Sequence, residues 1–151
     1  GQMTLFIRVP VPGSVSGRDG SVSWKKIFIP IANKPRPQPA LAAAVRLAAR
    51  LQRPQGEFVL LHVGETGAMP EVNCPEVPGW QWRKVSRTGE VIEGITGTAS
   101  KEAADLIVMS TDGRNGFLDA LRGSHSERVL RNAPCPLLTV PEGSLVAGAL
   151  E

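Results

Sequence analysis

Four short apolar runs constrain this chain more than anything else in it. They read KKIFIPI at 25–31, EFVLLHV at 57–63, ADLIVM at 104–109 and CPLLTV at 135–140. Each is too short for a typical helix and lacks the apolar–polar alternation of a half-exposed strand. Such runs fit strands buried on both faces, the condition inside a parallel sheet. Between the first two lies PALAAAVRLAARLQRP, the clearest helix. Its apolar face holds Ala40, Leu41, Ala44, Val45, Leu47, Ala48 and Leu51, while Arg46, Arg50 and Arg53 point away. Pro39 suits the first turn, and Pro54 and Gly56 end it. GEVIEGITGTASKEA is a weaker helix, because Gly94 and Gly97 each cost about 1 kcal/mol relative to Ala. A further helix is expected from Ser124 to near Asn132. Strands alternating with helices imply a parallel α/β sheet with helices on both faces and right-handed crossovers.

The remaining segments fill in the organisation. WQWRKVSR alternates bulky and charged residues and reads as an edge strand, and GETGAMPEVNCPEVPG before it is irregular. Thr4 to Val9 is a candidate strand, followed by a Gly-Arg-Asp-Gly turn signal in a hairpin or linker. The expected organisation is an N-terminal strand and linker over 1–24, an α/β domain over 25–141 and a tail over 142–151. With 151 residues, 42% hydrophobic and 21% charged, the chain matches one globular domain. Aromatic residues make up 5% and Tyr is absent, so aliphatic side chains must fill the core.

The net charge of +3 comes from scattered Lys and Arg, with no interleaved aromatic stripe, so no nucleic-acid partner is expected. No run of 18 apolar residues suggests a membrane span, and a cytoplasmic location is the default. Cys74 and Cys135 form no CxxC pair, and no metal framework is evident. Cys135 reads as a small buried hydrophobe.

The chemistry concentrates in MSTDGRNGFLDALRGSHSERVL, Met109 to Leu130. Gly113 follows a strand's carboxyl end, where glycine lets the backbone close on a ligand. Gly123 precedes Ser124, which with Glu127 forms a capping box at a helix start. Free N–H groups at such a start attract phosphate. Spacing alone leaves two readings open, a phosphate loop or an ordinary strand end and helix cap. No nucleophile is paired to a base: Ser124 and His125 are neighbours that point apart, and no Walker-type Lys-Ser/Thr follows Asp112 or Asp119. Binding rather than catalysis is expected.

From Lys25 to Pro141 the sequence resembles a universal stress protein domain. KKIFIPI, LLHV, ADLIVMS and GSHSERVLRNAPCPLLTVP carry the resemblance, the last most specifically. It implies a Rossmann-like sheet of five parallel strands in the order 3-2-1-4-5, between helices. Many members bind ATP and form homodimers, or carry two such domains in tandem; the present chain resembles the second half of a tandem protein as well as a single domain. The ATP-binding motif G-x2-G-x9-G-[S/T] falls on Ser110, Gly113, Gly123 and Ser124, so its first glycine is replaced. The aspartate usual after the first strand is replaced by Ala32, followed by Asn33. The resemblance implies a nucleotide site from Pro30, Ala32 and Asn33, from Val63, from Met109 and Ser110, and from Gly113, Arg114, Gly123, Ser124, His125 and Ser126. The cofactor would be ATP with Mg²⁺. The two departures keep an alternative open, a dimerisation module that binds no ligand. In family dimers the fifth strands meet antiparallel, which places the partner near Leu137–Val140. The same comparison leads us to expect Thr4–Val9 to pair antiparallel with that strand, within the chain or from a partner. The long helix usual between the second and third strands is missing, and Trp80 and Trp82 are expected to fill the gap.

Overall fold

A computed structural model describes residues 3–6, 24–32, 36–51, 55–64, 69–111, 129 and 131–143. In chain order the elements are β1 (Thr4–Phe6), β2 (Lys26–Pro30), α1 (Gln38–Leu51), β3 (Gly56–Val63), β4 (Trp80–Arg87), α2 (Val91–Lys101), β5 (Leu106–Thr111) and β6 (Leu137–Pro141). They form one sheet in the order β1-β6-β5-β2-β3-β4. Strands β2 to β6 pair in parallel throughout. Counted without β1, the order is the 3-2-1-4-5 expected from the sequence.

β1 is the antiparallel addition. Thr4 stands opposite Thr139, and Phe6 opposite Leu137. The expected pairing is therefore made within the chain, over three residues. Ile7, Arg8 and Val9 lie outside the described residues, as do the turn segment up to Ser23 and the tail from Ser144.

Two apolar layers cover the sheet. On one face α1 packs over Ile27, Ile29, Phe58, Leu60, Leu106 and Val108. On the other, α2 and Val129 pack over Phe28, Val59, Leu61, Ile107 and Leu137. The face of α1 is wider than its periodicity predicts, since Ala42 and Ala43 are buried as well. The reason lies in the segment that replaces the missing helix. Residues 69–79 run without regular structure along α1, and Asn73 exchanges two hydrogen bonds with the Gln38 side chain, at 2.8 and 2.9 Å. Small alanines let this second neighbour approach. Trp80 and Trp82 complete the layer as expected. Both lie close to Phe58, with ring centroids 4.8 and 4.2 Å away, and the Trp82 indole donates to the Pro75 carbonyl at 2.9 Å.

α2 contains both glycines that weaken it on paper, and packing separates them. A Cβ on Gly94 would stand 2.8 Å from Cγ2 of Val63, so this glycine lets the helix approach β3. A Cβ on Gly97 would meet nothing within 4 Å. Gly97→Ala is expected to raise stability by about 0.5–1 kcal/mol through helix propensity. Gly94→Ala is expected to lower it by about 1 kcal/mol, because overpacking outweighs the same gain. Denaturant midpoints of the two variants check the opposite signs.

Candidate functional site

The strand order reverses between β2 and β5, and in open parallel sheets the ligand crevice opens there, at the carboxyl ends. β2 ends at Pro30, opposite Leu61. One residue on, the Ile31 amide donates to the Leu61 carbonyl at 2.8 Å. Counting on from Pro30↔Leu61 sets Ile31 level with His62. Counting on from Phe28↔Ile107 sets it level with Ser110. Three side chains thus form a row across the top of the sheet. All are buried, with Ile31 5% and His62 and Ser110 each 8% exposed. Ala32 follows and is exposed.

The two polar members of the row differ in one respect. His62 Nδ1 lies 3.1 Å from the Ile31 carbonyl oxygen. A carbonyl only accepts, so Nδ1 carries the proton. The Ser110 hydroxyl has no hydrogen-bond partner among the described residues. A buried hydroxyl without a partner costs about 1–3 kcal/mol, and this one sits at the reversal point. Ser110 and His62 are separated by β2. Two strand spacings of about 4.8 Å keep them too far apart for a nucleophile–base pair.

The other residues expected at the site take different positions. Pro30 is half-buried at the end of β2. Val63 and Met109 belong to the apolar layer under α2, so only their backbones border the row. Asn33, Gly113, Arg114, Gly123, Ser124, His125 and Ser126 lie outside the described residues. Among the described residues no group of three His, Cys, Asp or Glu could hold a metal ion. Beyond the crevice, Arg36 spans to the end of β6, its amide donating to Glu142 Oε2 at 2.7 Å and its guanidinium to the Glu142 carbonyl at 3.1 Å.

The opposite end of the sheet carries a polar cleft of about 850 Å³, lined by Lys25, Lys26, Glu57 and Asp105 among others. Its charges are largely committed to one another. Lys26 lies 3.6 Å from both Glu57 and Glu102, and Arg83 lies 3.2 Å from Glu57 and also pairs with Glu102. The hydrogen bond from Arg83 holds the Glu102 carboxyl below its ordinary range. Asp105 accepts from the amides of Lys25 and Lys26. This network joins β2, β3, β4 and the turn after α2, and it was not read from the sequence. Cys135 is buried in the layer under α2, and burial pushes its thiol up to about 12.

A five-stranded parallel sheet, helices on both faces and a strand order that reverses between β2 and β5 define a doubly wound α/β domain. Residues 76–141 match the model of the universal stress protein family. A universal stress protein of Methanocaldococcus jannaschii is 29% identical over 150 residues, covering 82% of this chain and 85% of its own. The fold is shared by the universal stress protein UspA of Lactobacillus plantarum, with TM-score 0.57 and 19% identity over 78% of this chain and 97% of that one. A universal stress protein solved in complex with cAMP gives TM-score 0.55 and 13% identity over 80% of this chain and 98% of that one. The chain is thus similar to universal stress proteins in sequence and shares their fold. No helix among the described residues is long and apolar enough to cross a membrane.

Proposed function

We propose that this chain is a cytoplasmic stress-response regulator that binds ATP, with Mg²⁺, at the carboxyl ends of β2 and β5 and acts by binding rather than catalysis. The observation that carries this reading is the Ser110 hydroxyl, buried without a partner among the described residues at the reversal point. A nucleotide oxygen would satisfy it. Serine is also the residue that replaces the first motif glycine, so the departure supplies a donor rather than only bulk. Ala32 and Asn33, the Val63 backbone, and Gly113, Gly123 and Ser124 complete the proposed site. The solved relative with bound cAMP lends support, since cAMP is also an adenine nucleotide. The regulator acts as a homodimer through the sheet edge formed by β1, and not through Leu137–Val140 as the resemblance implies, because β6 lies between β1 and β5. Thr4–Phe6 pairs with Leu137–Thr139, so the partner meets β1 first.

Calorimetric titration of the nucleotide-free protein with ATP tests the reading. Micromolar affinity is expected. Ser110→Ala should weaken it about 3–10-fold, the loss of one hydrogen bond, while leaving the unliganded protein as stable or slightly more so. Absence of binding up to millimolar ATP would favour the second reading, a ligand-free interaction module. That reading draws on Ala32, which is exposed at the position of the usual carboxylate and offers no acceptor.

A further inference from the structure

We propose that His62 is a positioning residue for the crevice: its Nδ1–H holds the Ile31 carbonyl and so fixes the backbone that presents Ala32. The role rests on the nucleotide reading above for its consequence, but not for its geometry. β2 keeps its pairing to β3 to its last residue, Pro30, opposite Leu61. One residue on, the Ile31 amide still donates to the Leu61 carbonyl of β3, at 2.8 Å. In a regular parallel ladder the Ile31 carbonyl would next take its bond from the β3 backbone. Here the imidazole of His62 reaches that carbonyl, at 3.1 Å. A side chain continues the ladder where the strand turns away.

The ring is held for this task. His62 is 8% exposed, so the bond is shielded from competing water. A Cβ on Gly64 would stand 3.0 Å from Nε2, so the Gly64 backbone closes against the far side of the ring. Gly64 is itself fixed by its amide, which donates to the Arg87 carbonyl at 2.8 Å. The imidazole therefore sits between the ends of β2 and β3, with its donor aimed at the last residue before Ala32.

Three substitutions separate donation from bulk. His62→Asn places an amide N–H near the position of Nδ1. His62→Gln places it further out, near Nε2, and His62→Leu removes it. ATP affinity and amide exchange at Ile31 and Ala32, the latter in unliganded protein, are the readouts. His62→Asn should stay within about twofold of wild type in both, while His62→Gln and His62→Leu should weaken ATP about 5–10-fold and speed exchange, the effect of one lost hydrogen bond. The reverse order, with His62→Asn worst and the bulkier pair mild, would overturn the proposal and leave a packing role. If wild type binds no ATP, the nucleotide reading fails by itself, and the exchange order still decides the role of His62.

Discussion

Gly56→Ala is expected to be among the most damaging single substitutions in the described residues, although it adds one methyl group. A Cβ there would stand 2.4–2.5 Å from three atoms of the Trp80 ring. Nothing can approach that closely, so the indole must leave. Trp80 is 6% exposed and lies near Phe58, and the Gly56 amide donates to the Gly79 carbonyl at 3.1 Å, so neither backbone nor ring has room to yield. Displacing a buried tryptophan costs about 3–5 kcal/mol. A urea midpoint should fall accordingly. The control is Trp80→Ala, which alone should cost a similar amount. In that background Gly56→Ala should cost almost nothing, because the clash is gone. Additive losses would contradict the explanation.

Asp105→Ala should remove about 2–3 kcal/mol. One carboxylate oxygen accepts from two successive amides, Lys25 and Lys26, each at 3.0 Å. Hydrogen bonds to a charged group contribute about 1.5–3 kcal/mol each when well shielded, and the exposure at Lys25 lowers the sum. The paired residues that join β2 to β5 are Ile27↔Leu106 and Phe28↔Ile107. Asp105 extends that short seam, its own amide donating to the Lys26 carbonyl at 2.9 Å. A melting temperature about 5–10 °C lower is the expected reading. Asp105→Asn keeps one neutral acceptor and should lose about half as much. ATP affinity should not change, because Asp105 lies at the opposite end of the sheet from Ser110.

These two sites show what the sequence conceals. Each buried strand was legible, because a run such as EFVLLHV has one physical use in a small domain. Helix α2 was legible too, but the reason for Gly94 was not, since it depends on Val63, thirty-one positions away in the chain. Gly56 looked like a helix terminator and proves to be the floor under Trp80. Asp105 looked like the second letter of a strand and proves to staple two strands together. The pairs that explain these residues meet only after the sheet has formed. The candidate site divides in the same way. His62 lies within the run EFVLLHV, and its partner, Ile31, became visible only with the fold. Ser110 drew notice as a replaced motif glycine, but that its hydroxyl is unmatched among the described residues is a property of burial. Gly113, Gly123 and Ser124 rest on the sequence alone.

The pairing of β1 with β6 sets an order of assembly. Thr4 and Thr139 stand opposite each other yet lie 135 positions apart in the chain. During translation β1 emerges before every strand of the parallel sheet, and β6 emerges after the others. The template for β1 is thus the last of these strands to be finished. The parallel core can close before then, since β2 to β5 precede β6 in the chain. The outermost seam is thus the final one to be stitched, and it joins the start of the described chain to its end.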